Sequence, residues 1–285
     1  MTQLVQHVGW SFLRSRRWLG YFALLIIFSI ACVWLGNWQF ERRAQAQAEI
    51  ARIDANYDAV AVPLAEAIAD PTQFDEDTLK WQPVVLHGHY TGETFLARNR
   101  PGPGGVGSNL IHAFLTDAGT VFYIDRGWVA VSGTDEVPAD LPKPPTGQTT
   151  VTARLRAAEP QIAGRTSAGR FVASVHPTEL AALDDEQAQI YSASYGQLIS
   201  EEPAGATGAL AARPERDEGP HLSYALQWYV FIIIAAVGVG YAARQEYRGL
   251  NAEHESVVRD EQRREARKKR RGPTDADEED ALLDS

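Results

Sequence analysis

The chain has 285 residues, 45% of them hydrophobic, and a formal net charge of −10 at pH 7, enough apolar material for a substantial core. Its one cysteine, Cys32, lies in an apolar run, which excludes disulfide frameworks, Cys-based metal sites and thiol nucleophiles elsewhere. The mean hydropathy is slightly negative, −0.26, so the apolar content is concentrated in particular stretches.

Two uncharged runs hold it, at 19–38 and 222–243. Either would cross about 30 Å of hydrocarbon as a helix. Tyr224, Trp228 and Tyr229 stand at the start of the second run, an aromatic belt suited to the membrane interface. Pro220 and His221 directly precede it. The expected organisation is therefore an N-terminal segment at 1–18, a first span at 19–38, a domain at 39–221, a second span at 222–243 and a charged tail at 244–285. Arg14, Arg16 and Arg17 precede the first span, and ten Lys/Arg follow the second between positions 244 and 271. Both basic flanks point to the cytoplasm, which makes this a multi-pass protein of the plasma (inner) membrane with both termini cytoplasmic. The 39–221 segment is then extracytoplasmic; it carries 14 Lys/Arg and 25 Asp/Glu. A cleaved signal peptide is the competing reading, with Ser29, Ile30 and Ala31 as a small-residue site. Against it, the apolar run continues through Val33, Trp34 and Leu35.

Along the chain, 41–59 reads as a helix continuing out of the first span, with Ile50, Ile53 and Tyr57 on one side. A short helix follows Pro63, with Leu64, Ala67 and Ile68 buried. Strands are expected at 84–90 and 94–99, joined as a hairpin at Thr91 and Gly92. The sequence PGPGGVG at 101–107 reads as a loop. Further strands are expected at 109–116, 121–131 and 149–157, the last with Val151, Ala153 and Leu155 inward. The segment 117–120 is a turn, and 137–147 an extended connection. A helix at 178–187 places Leu180 and Leu183 inward, and a last strand covers 190–199. Residues 201–219 read as a polar, flexible lead into the second span. Beyond Tyr247 the tail is basic at 263–271 and acidic at 275–284, and reads as solvated and mostly disordered. The fold class expected is an α+β membrane protein: two transmembrane helices flanking one extracytoplasmic, antiparallel β-rich domain with short helices.

Several constellations invite chemistry. His87 and His89 share a strand face, and His112 on a later strand would have to join them to make a copper or zinc site. In Asp125-Arg126-Gly127-Trp128, the glycine marks a bulge or close backbone approach, Trp128 reads as core and Arg126 as paired with a carboxylate. No GxSxG, HExxH, P-loop or dinucleotide fingerprint occurs, so no enzyme is expected. The basic 263–271 stretch favours anionic lipid over nucleic acid.

Four segments in order resemble the SURF1 family, an assembly-factor family of haem-copper cytochrome c oxidase. They are LGNWQ with Arg42 at the exit of the first span, LARNR at 96–100, VFYIDRGWV at 121–129 and HLSYALQWY at 221–229. The resemblance implies binding of haem a and its insertion into oxidase subunit I; its partners would be subunit I, haem a synthase and the lipid bilayer, with no nucleic acid. His221 is then the candidate axial ligand of the haem iron, with Trp38, Tyr224 and Trp228 against the macrocycle and Arg42 meeting a propionate. The residues read alone leave rivals open: a solvated interfacial histidine, aromatic lipid anchors and a snorkelling arginine. A cofactor-free membrane scaffold for an oxidase assembly intermediate is the alternative function.

Overall fold

The computed structural model describes residues 9–130, 140–162, 164, 167, 169–184, 187–252 and 255–271. These form two compact units, one from Met1–Ala44 with Gly219–Ser285, the other Gln45–Glu218.

The first unit is helical. After a single 3-10 turn at Ser11–Arg14, helix α1 (Arg16–Asn56) runs unbroken through the first apolar run and on into the second unit. Among the described residues two helices are long and apolar enough to cross a membrane: α1 and the helix at His221–Leu250.

The second unit is built on a sheet that closes on itself. Its elements are β1 (Val62–Pro63), α2 (Leu64–Ala67), α3 (Glu76–Leu79), β2 (Pro83–Gly102), β3 (Gly105–Thr116), β4 (Thr120–Val129), β5 (Thr149–Ala157), β6 (Phe171–Val172), α4 (Pro177–Leu183), β7 (Gln189–Ile190) and β8 (Ser194–Glu202). Strand β2 pairs with β3 along its second half and with β5 along its first, so β2-β3-β4-β8-β5 closes into a barrel. The long pairings are antiparallel, but β4 runs parallel to β8, and β1, β6 and β7 also join in parallel. The sheet is thus mixed rather than antiparallel throughout, because β8 returns from across the barrel to lie beside β4.

Alternation along the strands explains the packing. Val84, Leu86, Phe114, Phe122, Ile124, Val151, Ala153, Leu155 and Leu198 form one cluster, completed by Leu64 and Ile68. The opposite faces of β3 and β4, with Ile111, Ala113, Val121 and Tyr123, are covered by Val172, Val175 and Leu180. Both faces of this hairpin are therefore buried, which is why β4 reads as a nearly continuous apolar run. The end of α1 docks through Ile53 and Tyr57 against Trp81, with the Trp81 indole donating to Glu49 at 2.9 Å.

Several expectations change. No hairpin forms at Thr91–Gly92. Between Thr91 and Phe95, β2 advances four residues while β3 advances two, so a bulge replaces the turn and Gly92 takes φ +69°. The glycine-rich 101–107 stretch is the hairpin tip itself, with Gly102 opposite Gly105. Leu183 is 42% exposed, because α4 ends there and turns Pro177, Leu180 and Ala181 inward. The last strand is broken into β7 and β8, and it extends to Glu202. The tail is not irregular from 247 onward: α5 (His221–Leu250) is followed by α6 (Glu255–Arg271). Part of the 137–147 connection, part of the 178–187 helix and the acidic 275–284 segment fall outside the described residues.

Candidate functional site

In the first unit, Cys32 and Gly36 of α1 are buried and Gln39 half-buried. Their spacing of four and three puts them on one stripe. On α5 the matching stripe is half-buried His221, buried Ala225 and half-buried Trp228. The two stripes meet. Gly36 lets the helices approach: a Cβ there would lie 2.9 Å from Tyr229 Cε2, and the Tyr229 hydroxyl donates to Asn37 Oδ1 at 3.0 Å. About one helical turn further along α1, His221 Nδ1 sits 2.9 Å from Gln39 Oε1. An amide oxygen only accepts, so this bond places the imidazole hydrogen on Nδ1 and the lone pair on Nε2. A ligating histidine is oriented in just this way, by a partner on the ring nitrogen that does not bind the metal.

The other predicted site residues divide. Trp228 shares the packed stripe with His221 and meets Phe231 edge-on at 5.7 Å. Trp38 and Tyr224 are 45% and 48% exposed, and Arg42 is exposed. Trp38 and Arg42 lie four apart, about one turn from each other; Trp38 is off the Gln39 stripe, and Arg42, three residues beyond Gln39, is at its edge. Tyr224 lies off the packed stripe, which passes from His221 through Ala225. These side chains line the outer flank of the helix pair, whereas the seam between the helices is filled by Gly36 and Tyr229. The donor set fits a haem held from the flank: one imidazole with its lone pair at Nε2, apolar rings around it and one guanidinium. It does not fit a macrocycle inserted between the helices. The sequence shows Gln39 within a motif but not its role; a glutamine inside an aromatic-rich span end is the available signal.

A second constellation lies in the barrel. Between Asp125 and Trp128, β4 advances three residues while β3 advances two, so a bulge interrupts the alternation. Arg126 points inward, is fully buried, and pairs with Glu201 of β8. Its Nε donates to Glu201 Oε2 at 3.1 Å and its Nη2 to the Ala206 carbonyl at 3.0 Å. The Tyr90 hydroxyl donates to the same carboxylate at 2.7 Å, and the Gly205 N–H at 3.1 Å. Tyr90 holds its proton firmly: burial, then the Glu201 charge, push its pKa up. Arg126 is paired with a carboxylate as expected, but that carboxylate sits in the stretch read as a flexible lead. The lead is fastened further by a two-residue bridge, Trp128 N–H to Ala209 O and Ala209 N–H to Trp128 O, each 2.8 Å. Gly127 makes room for it: its φ is +105°, and a Cβ would fall 2.8 Å from the Gly208 carbonyl carbon.

On the opposite face, Asp125 borders a cavity of about 480 Å³ together with Arg100, Asn109, Trp128 and Gln197. Burial pushes its carboxyl up to about 6, and bonds from the Gly127 N–H and the Asn109 amide offset only part of that. Trp128 lies flat on the glycine-rich tip, where a Cβ on Gly102 would be 2.3 Å from the indole, and its Nε1 donates to the Arg100 carbonyl at 2.9 Å. In LARNR, Asn99 takes φ +58° at a bulge, a conformation asparagine tolerates. The bulge changes the facing of the next residue, and Arg100 forks onto Glu159.

The histidine pair does not become a metal centre. His87 and His89 are exposed, His87 bonding Thr150, while His112 faces the barrel interior and bonds Thr94 at 3.0 Å. Among the described residues no group of three His, Cys, Asp or Glu could hold a metal ion. Burial, and then the Arg126 charge, hold the His112 pKa down to about 3, so it is neutral.

Comparison with known proteins places these motifs. The model of the SURF1 family matches residues 26–233. Uncharacterized SURF1-like proteins of Mycobacterium bovis and of two Mycobacterium tuberculosis strains are each 33% identical over 249 residues, 85% of this chain and 89% of the relative. The family match takes in part of each apolar run, the barrel and the His221–Gln39 pair, and the chain therefore belongs to the SURF1 family.

Proposed function

We propose that this protein is an assembly factor for an aa3-type haem-copper cytochrome c oxidase, binding haem a and aiding its insertion into subunit I. SURF1 proteins are in general cytochrome oxidase assembly factors, and the observation that carries the finer reading is the Gln39–His221 bond. When bound, haem a supplies an iron with an axial position, a hydrocarbon tail and two propionates. Gln39 holds the imidazole by Nδ1, so His221 would have Nε2 free to ligate the haem iron. Trp38 and Tyr224 would supply apolar surface on the flank, Trp228 apolar surface beside His221 on the packed stripe, and Arg42 a bidentate cation for a propionate. The exposed flank suits a carrier, which must release its cargo to a partner without separating two packed helices. The basic flanks of both apolar runs support cytoplasmic termini and an extracytoplasmic barrel. In that orientation subunit I and haem a synthase would be reached within the same membrane.

The same bond supports a second reading, a cofactor-free scaffold in which Gln39 and His221 simply tie two helices. A visible spectrum of the full chain purified from cells making haem a separates them. The carrier gives Soret and α bands of protein-bound haem a, lost or shifted by His221→Ala while the protein keeps its helix content. A colourless wild type from cells proven to make haem a overturns the carrier and leaves the scaffold.

A further inference from the structure

The basic stretch after the second span is helical, and four of its arginines share one face. In α6, Arg259, Arg263, Arg267 and Arg270 follow at intervals of four, four and three. At about 100° per residue they occupy an arc of about 80°. Asp260 borders this arc, Arg264 falls beyond it on the side of Val257, and Glu265 lies on the far side. Arg263, Arg264, Arg267 and Arg270 are all exposed. Over 263–271 there are seven Lys/Arg against one acidic residue. A helix kept apart by charge alone would mix its signs along each face; here one sign is gathered into a stripe.

The start of α6 is anchored. Val257 is buried, and together with Asp260 it borders a hollow shared with Gly240, Arg244, Tyr247 and Arg248 at the end of α5. Only four residues separate the end of α5 from the start of α6. The arginine stripe is therefore kept within a short reach of the end of a candidate membrane span, and it does not include the position that packs against α5. Arg14, Arg16 and Arg17 before the first span add to the positive charge of the flanks.

We infer that the arginine stripe of α6 is a docking surface for the anionic phospholipid headgroups of the leaflet next to the end of α5. The inference rests on α5 crossing the membrane, as in the proposed function, and not on haem binding. A guanidinium matches a lipid phosphate in fork geometry. Clusters of four to eight Lys/Arg directly after a span concentrate at anionic surfaces and respond to ionic strength. The effect on the molecule is to hold the tail against the membrane.

The test is amide hydrogen exchange of the full chain in lipid nanodiscs, either of phosphatidylcholine alone or with phosphatidylglycerol added. Slow exchange of α5 in both discs reports the span independently. Exchange across 255–271 is expected to be about tenfold slower in the anionic discs, with the difference collapsing near 0.5 M salt. It should also vanish in the variant R263Q/R267Q/R270Q, whose glutamines keep helix propensity. Equal exchange of α6 in both discs, with α5 protected, overturns the inference. So does protection conferred by added RNA but not by anionic lipid. Protection in phosphatidylcholine discs that disappears on deleting 273–285 also overturns it, because the acidic segment of the same chain would then be the partner.

Discussion

Two buried titratable groups on adjacent barrel strands work against each other, and separating them tests the interior electrostatics. His112 is held neutral in the fold, at about 3, by burial and the Arg126 charge; in the unfolded chain it would titrate near its ordinary value of about 6.5. The unfolded state therefore gains a proton that the fold refuses, and stability falls as pH drops from about 6.5 towards 3. At 1.36 kcal/mol per unit, the full span is worth about 5 kcal/mol. Asp125 has the opposite sign. Its folded value of about 6 lies above the ordinary value of about 3.9, so the fold holds the proton longer and stability falls as pH rises from about 4 to 6, by about 3 kcal/mol. Between about pH 4 and 6 the two slopes oppose, and the wild type should show a nearly flat profile. His112→Gln can keep a bond to Thr94 while removing the titration; stability should then fall by about 3 kcal/mol as pH rises across that window. Asp125→Asn should give the reverse, a rise of several kcal/mol from about pH 3 to 6.5. Urea unfolding in detergent micelles between pH 3.5 and 7.5, followed by near-UV circular dichroism of Trp81 and Trp128, reads both. If both variants keep the flat profile of the wild type, neither group titrates as its burial demands and the reasoning fails.

Removing one partner of the buried Arg126–Glu201 pair leaves an uncompensated charge, so Arg126→Met should cost about 3–5 kcal/mol in the same unfolding assay, with the bridge at Ala209 exchanging faster. Gly102→Ala places a methyl where the Trp128 indole lies; overpacking should cost about 1–3 kcal/mol and change the Trp128 near-UV signal. In the helical unit, Gln39→Leu removes the orienting partner of His221 without touching the ligand. Haem a affinity measured by titration should weaken about 10–100-fold, whereas a purely structural tie would leave it unmoved. Gly36→Leu drives a side chain into Tyr229 and should separate the helix pair, seen as faster exchange of α5 amides around Ala225.

Local composition was sufficient for some features. Uncharged runs of about twenty residues mark the two helices long and apolar enough to span, because the hydrocarbon thickness sets that length. The alternation of Val151, Ala153 and Leu155 identifies a half-exposed strand because a pleat repeats every two residues. The four family motifs, in order, carry family membership. The barrel could not be seen this way, since β2 closes onto β5 and β8 inserts beside β4 through pairings far apart in sequence. Gly92 illustrates the ambiguity, as one positive-φ glycine serves a turn or a bulge equally well and only the register of β3 decides. Glu201 carries no local mark of burial within a Pro-, Gly- and Ala-rich stretch; it is buried because Arg126 and Tyr90 arrive beside it from other strands. Helical periodicity showed that Trp38 and Arg42 share a face, and that His221 and Trp228 do. Which face meets the neighbouring helix was decided by close packing at Gly36 and Ala225, which leaves Gln39 rather than Trp38 against His221.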